Sequence, residues 1–242
     1  MRTTICFDFG NTRKKAAIFN GSEIVKTITL EDDSSATISS LMDTFKPDCS
    51  ILSSVVQHNP DVETILKKNT RFHLLSSLSK LPFTVVVTKP ETMGADRLAL
   101  AAGGIHLFPD SNLLLIGLGT CITTNFINKY HEFLGGSISP GLEMRLKSLQ
   151  YYTAALPYTA PKADVPLIGY DTDTNILSGV VRGMAYELDG YIEAYASKFD
   201  NFNVVLTGGD VQHLASHIKN KIFADPDLIF KGLYAISELN NA

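Results

Sequence analysis

The sequence has no run of apolar residues approaching the roughly 18 that a membrane span requires, so a spanning protein is not expected. It also lacks any block of Lys and Arg. With 21 basic against 25 acidic residues and a formal charge of -4, no surface is predicted to track a nucleic-acid backbone. Cysteine is sparse and unpaired by motif. Cys6, Cys49 and Cys121 form no CxxC, and each lies in an apolar stretch that suits a small buried thiol, so a reducing, cytoplasmic setting is expected. The opening MRTTICFDFGNT reaches Asp8 and Gly10 too soon for the apolar core of a signal peptide. No segment is of low complexity. What remains is a composition of 45% hydrophobic and 19% charged residues, which is that of a folded chain, and 242 residues allow one large domain or two modest ones.

Turn residues divide the first half into short β-prone runs, Thr3 to Phe7, Ala16 to Phe19 and Glu23 to Leu30. A helix over Ala36 to Phe45, a strand over Cys49 to Leu52 and a helix starting at Asp61 follow. The order then recurs. Leu113 to Ile116, Cys121 to Asn128 and His131 to Ile138 read as strands, and Gly141 to Leu149 as a helix. Each half opens with a strand, a Gly/Thr turn and a second strand. The repetition predicts an α/β fold of two duplicated domains, 1-110 and 111-242, with a cleft between them, the boundary falling at the turn cluster Pro109 to Asn112. Thr153 to Thr172 reads as loop and Asn175 to Lys198 as the longest helix.

Three glycine turns carry candidate chemistry. The stretch Asp8, Phe9, Gly10, Asn11, Thr12, Arg13, Lys14, Lys15 follows a strand and opens a hairpin whose glycine lets backbone N-H groups approach an anion. Asp8 would repel phosphate directly, but it can hold a hydrated Mg2+ that bridges to phosphate oxygens. The same residue types also make an ordinary hairpin turn. Gly117-Leu118-Gly119-Thr120 occupies the matching place in the second half. Gly208 and Gly209 follow the strand Asn203 to Leu206 and precede a short helix, offering donors at its start. Gly94-Ala95-Asp96-Arg97 opens a further helix. Its carboxylate can accept a proton from a hydroxyl while the guanidinium grips an anion; helix capping and a surface ion pair are the other reading.

Taken in order, DFGNT at 8 to 12, PETMGADR at 90 to 97, GLGT at 117 to 120, LGGSISPGL at 134 to 142, TAALP at 153 to 157, IGYDT at 168 to 172 and LTGGD at 206 to 210 resemble the type III pantothenate kinases over nearly the whole chain. That resemblance implies two duplicated ribonuclease-H-like domains of the actin-like ATPase kind, with nucleotide in the cleft and a homodimer as the working form. It implies ATP-dependent phosphorylation of pantothenate to 4'-phosphopantothenate, the first step of coenzyme A synthesis. Asp96 would be the general base, Gly94 to Arg97 with Thr172 would line the pantothenate site, and Asp8 to Lys15 with Thr120 would cradle ATP. Mg2+ and a monovalent cation, K+ or ammonium, are the implied cofactors.

The chain departs from the family pattern at four positions. Gly117 stands where the family usually has an aspartate associated with the monovalent cation, Asn125 where aspartate is common, Val87 where tyrosine is frequent and Asp171 where asparagine is usual. A non-catalytic relative that binds pantothenate or nucleotide and acts as a regulator is the alternative that Gly117 raises, and a sugar kinase of the same superfamily is a third. His213 and His217, at i, i+4 spacing, lack a third ligand and read as solvent-facing. Tyr151, Tyr152, Tyr186, Tyr191 and Tyr195 read as core or dimer-seam residues.

Overall fold

The computed structural model describes residues 2 to 241. The chain forms two compact units, one comprising Met1–Pro109, His131–Phe133 and Asp227–Ala242, the other Asp110–Tyr130 and Leu134–Pro226. The domain expected over 111-242 therefore differs from the second unit chiefly by the C-terminal stretch, which belongs with the first.

The first unit begins with β1 (Thr3–Phe9), β2 (Lys14–Asn20) and β3 (Glu23–Leu30), then α1 (Ser35–Phe45), β4 (Cys49–Ser54), α2 (Asp61–Asn69), β5 (Arg71–Leu74), β6 (Thr84–Val85) and α3 (Ala95–Leu107). Its five-stranded sheet runs β3-β2-β1-β4-β5, with β1 antiparallel to β2 and parallel to β4. Alternation sorts the residues of β1 by face. Ile5, Phe7 and Phe9 join Ala16, Ile18 and Leu52 in a core with Ile38, Leu41, Val62 and Leu66 of α1 and α2. Thr4, Cys6 and Asp8 take the other face. Ser34 starts α1 by accepting a hydrogen bond from the Thr37 amide.

The second unit repeats the scheme with β7 (Asn112–Leu118), β8 (Cys121–Ile127), β9 (Glu132–Pro140), α4 (Leu142–Tyr152), α5 (Thr172–Leu177), α6 (Gly183–Ala196), β10 (Phe202–Thr207), α7 (Val211–Leu214) and β11 (Phe223–Ala224). Its strands run β9-β8-β7-β10-β11, the same third-second-first-fourth-fifth order as in the first sheet. This shared order is the structural form of the duplication. At the start of β9, Glu132 and Phe133, which belong to the first unit, pair with Thr84 and Val85 of β6. Leu114, Ile116, Leu118, Ile122 and Phe126 are buried with Leu142 of α4, Val181 and Leu188.

The helix expected over Asn175 to Lys198 starts earlier. Asp171 accepts from the Thr174 amide and Thr174 reciprocates in a capping box, so the helical run begins at Thr172. A π-helical turn, Ser178–Arg182, joins α5 to α6, and the run closes at Ala196.

The last helix, α8 (Leu228–Asn240), returns to the first unit and packs on α3. Two glycines permit the approach. A Cβ on Gly232 would stand 1.8 Å from the Ala99 carbonyl oxygen, and one on Gly103 would stand 2.3 Å from that of Leu228. Tyr234 of α8 stacks on Phe19 of β2 at 4.6 Å between ring centroids. Residues Leu98 to Gly104 of α3 are consequently buried on all sides. Cys6, Cys49 and Cys121 are free thiols, and among the described residues no helix is long and apolar enough to cross a membrane.

Candidate active site

In the first unit, Asp8 lies on β1 directly between Lys15 of β2 and Ser53 of β4. The turn beyond it is closed by the Gly10 amide donating to the Arg13 carbonyl at 3.1 Å. Asn11, Thr12 and Arg13 are exposed at the tip, where an open depression of about 240 Å³ runs along Gly10 to Lys14 and Thr29 to Glu31. The flanking residues are committed differently. The Phe9 side chain is fully buried in the core, so only its backbone faces the turn, and its carbonyl accepts from the Val55 amide. Lys14 pairs with Asp33 at 2.7 Å and sits over the Phe9 ring. That ion pair holds the hairpin to the segment before α1.

Asp96 sits in the first turn of α3, behind Gly94 at the N-cap. A Cβ on Gly94 would come within 2.4 Å of the Asp96 carboxylate and 3.8 Å of Val55, so glycine here lets the carboxylate fold back over the helix start. The Arg97 and Leu98 amides donate to the Gly94 carbonyl, and Ala95 is buried. Burial raises the Asp96 carboxyl above the usual carboxylate range, against the pull of the Arg97 and Asp96 amides and the Arg97 charge. The Arg97 guanidinium lies 5.6 Å above the Phe133 ring, and burial lowers its pKa.

Asp8 feels Asp96. Burial, then repulsion from the Asp96 carboxylate, pushes the Asp8 carboxyl up to about 7, with Lys15 pulling the other way. Ser53 beside it is fully buried, and its hydroxyl has no hydrogen-bond partner. Two repelling carboxylates and an unsatisfied hydroxyl are groups that a hydrated divalent cation would satisfy together. The donor set therefore fits Mg2+.

The second unit assembles its glycine turns backbone against backbone. The Gly119 amide donates to the Cys121 carbonyl at 3.1 Å, leaving Gly119 and Thr120 exposed between β7 and β8. Gly141 at the start of α4 donates its amide to the Thr120 carbonyl, and a Cβ there would stand 2.2 Å from the Gly119 carbonyl oxygen. Gly208 has φ +108°, and its Cβ would fall 2.2 Å from the Leu118 carbonyl oxygen; Gly209 next to it is exposed. One packed cluster thus presents three sets of backbone groups.

Gly117 occupies in β7 the place of Asp8 in β1, and its neighbours are Thr123 and Thr207 in place of Lys15 and Ser53. Asn125 is buried and donates from its amide to the Leu115 carbonyl at 3.3 Å, a bond that a carboxylate could not make. Thr172 is exposed at the start of α5, in the second unit, whereas Gly94 to Arg97 belong to the first. The loop preceding Thr172 is pinned along its length. Thr159 donates to Asp173, His217 bonds the Ala163 carbonyl, Arg182 donates to the Val165 carbonyl and Ser178 to that of Leu167.

The two histidines read as solvent-facing are therefore placed otherwise: both are half-buried, and His217 pins that loop. Of the tyrosines, Tyr195 packs with Phe126 and Phe199, while Tyr151 and Tyr152 are about four-fifths exposed. Sequence reasoning assigned no role to Ser53, Gly141 or Asp33. Only Gly141 left a trace, as the glycine of SPGL.

The family described as type III pantothenate kinase matches residues 4–194. A type III pantothenate kinase of Christiangramia forsetii is 41% identical over 238 residues, covering 98% of each chain. One of Flavobacterium johnsoniae is 41% identical over 231 residues, covering 93% of each. Among solved structures, a Campylobacter jejuni protein described as a Baf family transcriptional activator superposes with a TM-score of 0.61 at 24% identity, covering 98% of each chain. A glucokinase from an Antarctic psychrotroph gives 0.52 at 10% identity, covering each chain in full. These two likenesses concern the fold.

Proposed function

Because the chain belongs to the type III pantothenate kinase family, we infer that it transfers the γ-phosphoryl group of ATP to the hydroxyl of pantothenate, giving 4'-phosphopantothenate for coenzyme A synthesis. The observation that carries this reading is that Asp96, at the start of α3, lies near enough to Asp8, at the end of β1, for their carboxylates to repel. Phosphoryl transfer asks a protein for in-line positioning and charge stabilisation, and no covalent nucleophile is needed. In this reading Asp96 accepts the hydroxyl proton as the oxygen attacks phosphorus. Burial, by raising its pKa, brings it nearer the operating pH, where a general base works best. Arg97 takes the substrate carboxylate, with Gly94 and Ala95 beside it in the first unit.

Asp8 holds Mg2+ through water, and Mg2+ supplies charge neutralisation at the phosphates. The backbone from Asp8 to Lys15 takes ATP phosphates, Lys15 adds charge, and Lys14 chiefly anchors the hairpin through Asp33. Gly119, Thr120, Gly208 and Gly209 offer the second set of backbone contacts. A monovalent cation, K+ or ammonium, would assist with no side chain from Gly117 to hold it. The exposed Ile138, Tyr151, Tyr152, Ile168 and Tyr170 of the second unit support a homodimer, since scattered single residues would not leave so much large apolar surface in one unit. A cytoplasmic location completes the reading.

The test is a steady-state assay with pantothenate and Mg-ATP, in K+, ammonium or neither, for wild type and Asp96→Asn. The expected loss in the variant is about 100-fold or more in kcat with folding retained. Pantothenate binding without turnover in any salt would instead indicate a regulatory protein.

A further inference from the structure

Ser53 is the one buried hydroxyl beside the carboxylate pair, and nothing in the fold uses it. The parallel register of β1 and β4 sets Ser53 against Asp8, and paired residues of neighbouring strands project to the same face of a sheet. The face is fixed independently. Leu52 and Phe7, the pair immediately before, both lie in the core under α1 and α2, so Ser53 and Asp8 both turn toward α3. The Asp96 end of α3 lies near there, since a Cβ on Gly94 would stand 3.8 Å from Val55, two residues beyond Ser53. The other buried hydroxyl of β4, that of Ser50, shares a hydrogen bond with Thr70 at 2.6 Å. The Ser53 hydroxyl, with no exposed surface, has no partner.

A buried hydroxyl without a partner costs about 1–3 kcal/mol, so a fold gains nothing by keeping one unless something else satisfies it. An apolar residue of similar size, alanine, would fill the place without that cost. We propose that Ser53 is a positioning residue for the divalent cation, its hydroxyl holding a water of the hydrated ion that Asp8 binds and so fixing where that ion sits against the nucleotide. The inference rests on the assignment of Asp8 as metal holder and adds a partner that no motif in the chain indicates. Groups that contact a metal's ligands or waters from outside are worth about 10–100-fold in affinity elsewhere.

The experiment compares ADP binding by calorimetry with Mn2+ and with EDTA, in wild type, Ser53→Ala, Ser53→Thr and Asp8→Asn. Wild type binds Mn-ADP more tightly than metal-free ADP, and the ratio measures the metal's contribution. Ser53→Ala is expected to lose about 10-fold of that ratio while its affinity for metal-free ADP and its thermal midpoint in EDTA do not fall. Ser53→Thr, which keeps a hydroxyl, retains most of the ratio, and Asp8→Asn abolishes it. A full ratio in Ser53→Ala overturns the proposal and leaves Asp8 standing. No ratio above one in wild type overturns the Asp8 assignment and the proposal together.

Discussion

The two opening hairpins of the units share a topology but not a chemistry. In the first, a carboxylate stands between an ammonium and a hydroxyl, Asp8 between Lys15 and Ser53. In the second, the corresponding position is bare backbone between two threonines, Gly117 between Thr123 and Thr207. Duplicated folds keep the parts that the sheet requires, the strand order and the glycine turn, and let the side chains that face the ligand diverge. The first hairpin is built to handle charge. The second has no charged side chain at the matching place, and Gly119, Gly141 and Gly208 pack there backbone against backbone.

The comparison breaks most severely at Asp8. Asp8→Asn is expected to lower kcat by about 100-fold or more, because the charge proposed to hold the metal is gone. The same variant should be the more stable protein at neutral pH without metal. The folded-state pKa of Asp8 is raised, so its protonated form stabilises the fold fully below the unfolded value near 4, and that contribution is lost as pH rises toward about 7. At neutral pH the loss is at most about 4 kcal/mol, with Asp96 acting in the same direction. Urea midpoints in EDTA should therefore fall between pH 5 and 8 in wild type and fall less in Asp8→Asn. Mg2+ with nucleotide should restore the wild type alone, and parallel pH curves for the two proteins would sink the assignment.

In the second hairpin the vulnerable element is backbone. Gly208→Ala places a methyl group against the Leu118 carbonyl in a conformation that L-residues rarely adopt, so about 2–4 kcal/mol of stability should go, read as a lower urea midpoint. Whatever folds should show a raised KM for ATP and a KM for pantothenate nearer that of wild type, since Asp96 and Arg97, proposed to act on pantothenate, belong to the first unit. Equal effects on both constants would mean that the turn does not serve nucleotide.

Both hairpins were legible in the sequence because alternation and glycine are local signals: Ile5, Phe7 and Phe9 against Cys6 and Asp8 announce a strand, and Gly10 or Gly119 its turn. Asp96 and Arg97 stand out in the sequence only through the resemblance. What the sequence could not disclose depends on register or on distant packing. Ser53 matters only because β4 pairs with β1 at that alignment. Lys14 reads as a phosphate ligand until Asp33 is seen to hold it. The apolar pattern of α8 says that it is buried, but not that it returns to the first unit on Gly103 and Gly232. A run of small residues in α3 signals close packing without naming the partner.

The smallest effect, and the sharpest use of the comparison, lies in making the second hairpin resemble the first. Gly117→Asp would place a carboxylate among the hydroxyls of Thr123 and Thr207, on a half-buried position where a monovalent ion could be held by side chain as well as backbone. The ratio of activity with ammonium to activity without it should rise by about 3–10-fold, mainly because an uncompensated carboxylate near ATP phosphates slows the ion-free enzyme. Thr207→Val in the same background should reduce the gain, because the carboxylate and its ion lose one neighbouring oxygen. If the ratio instead stays at the wild-type value while both activities fall, the added charge acts only by repulsion, and the backbone of the second hairpin already meets the whole cation requirement.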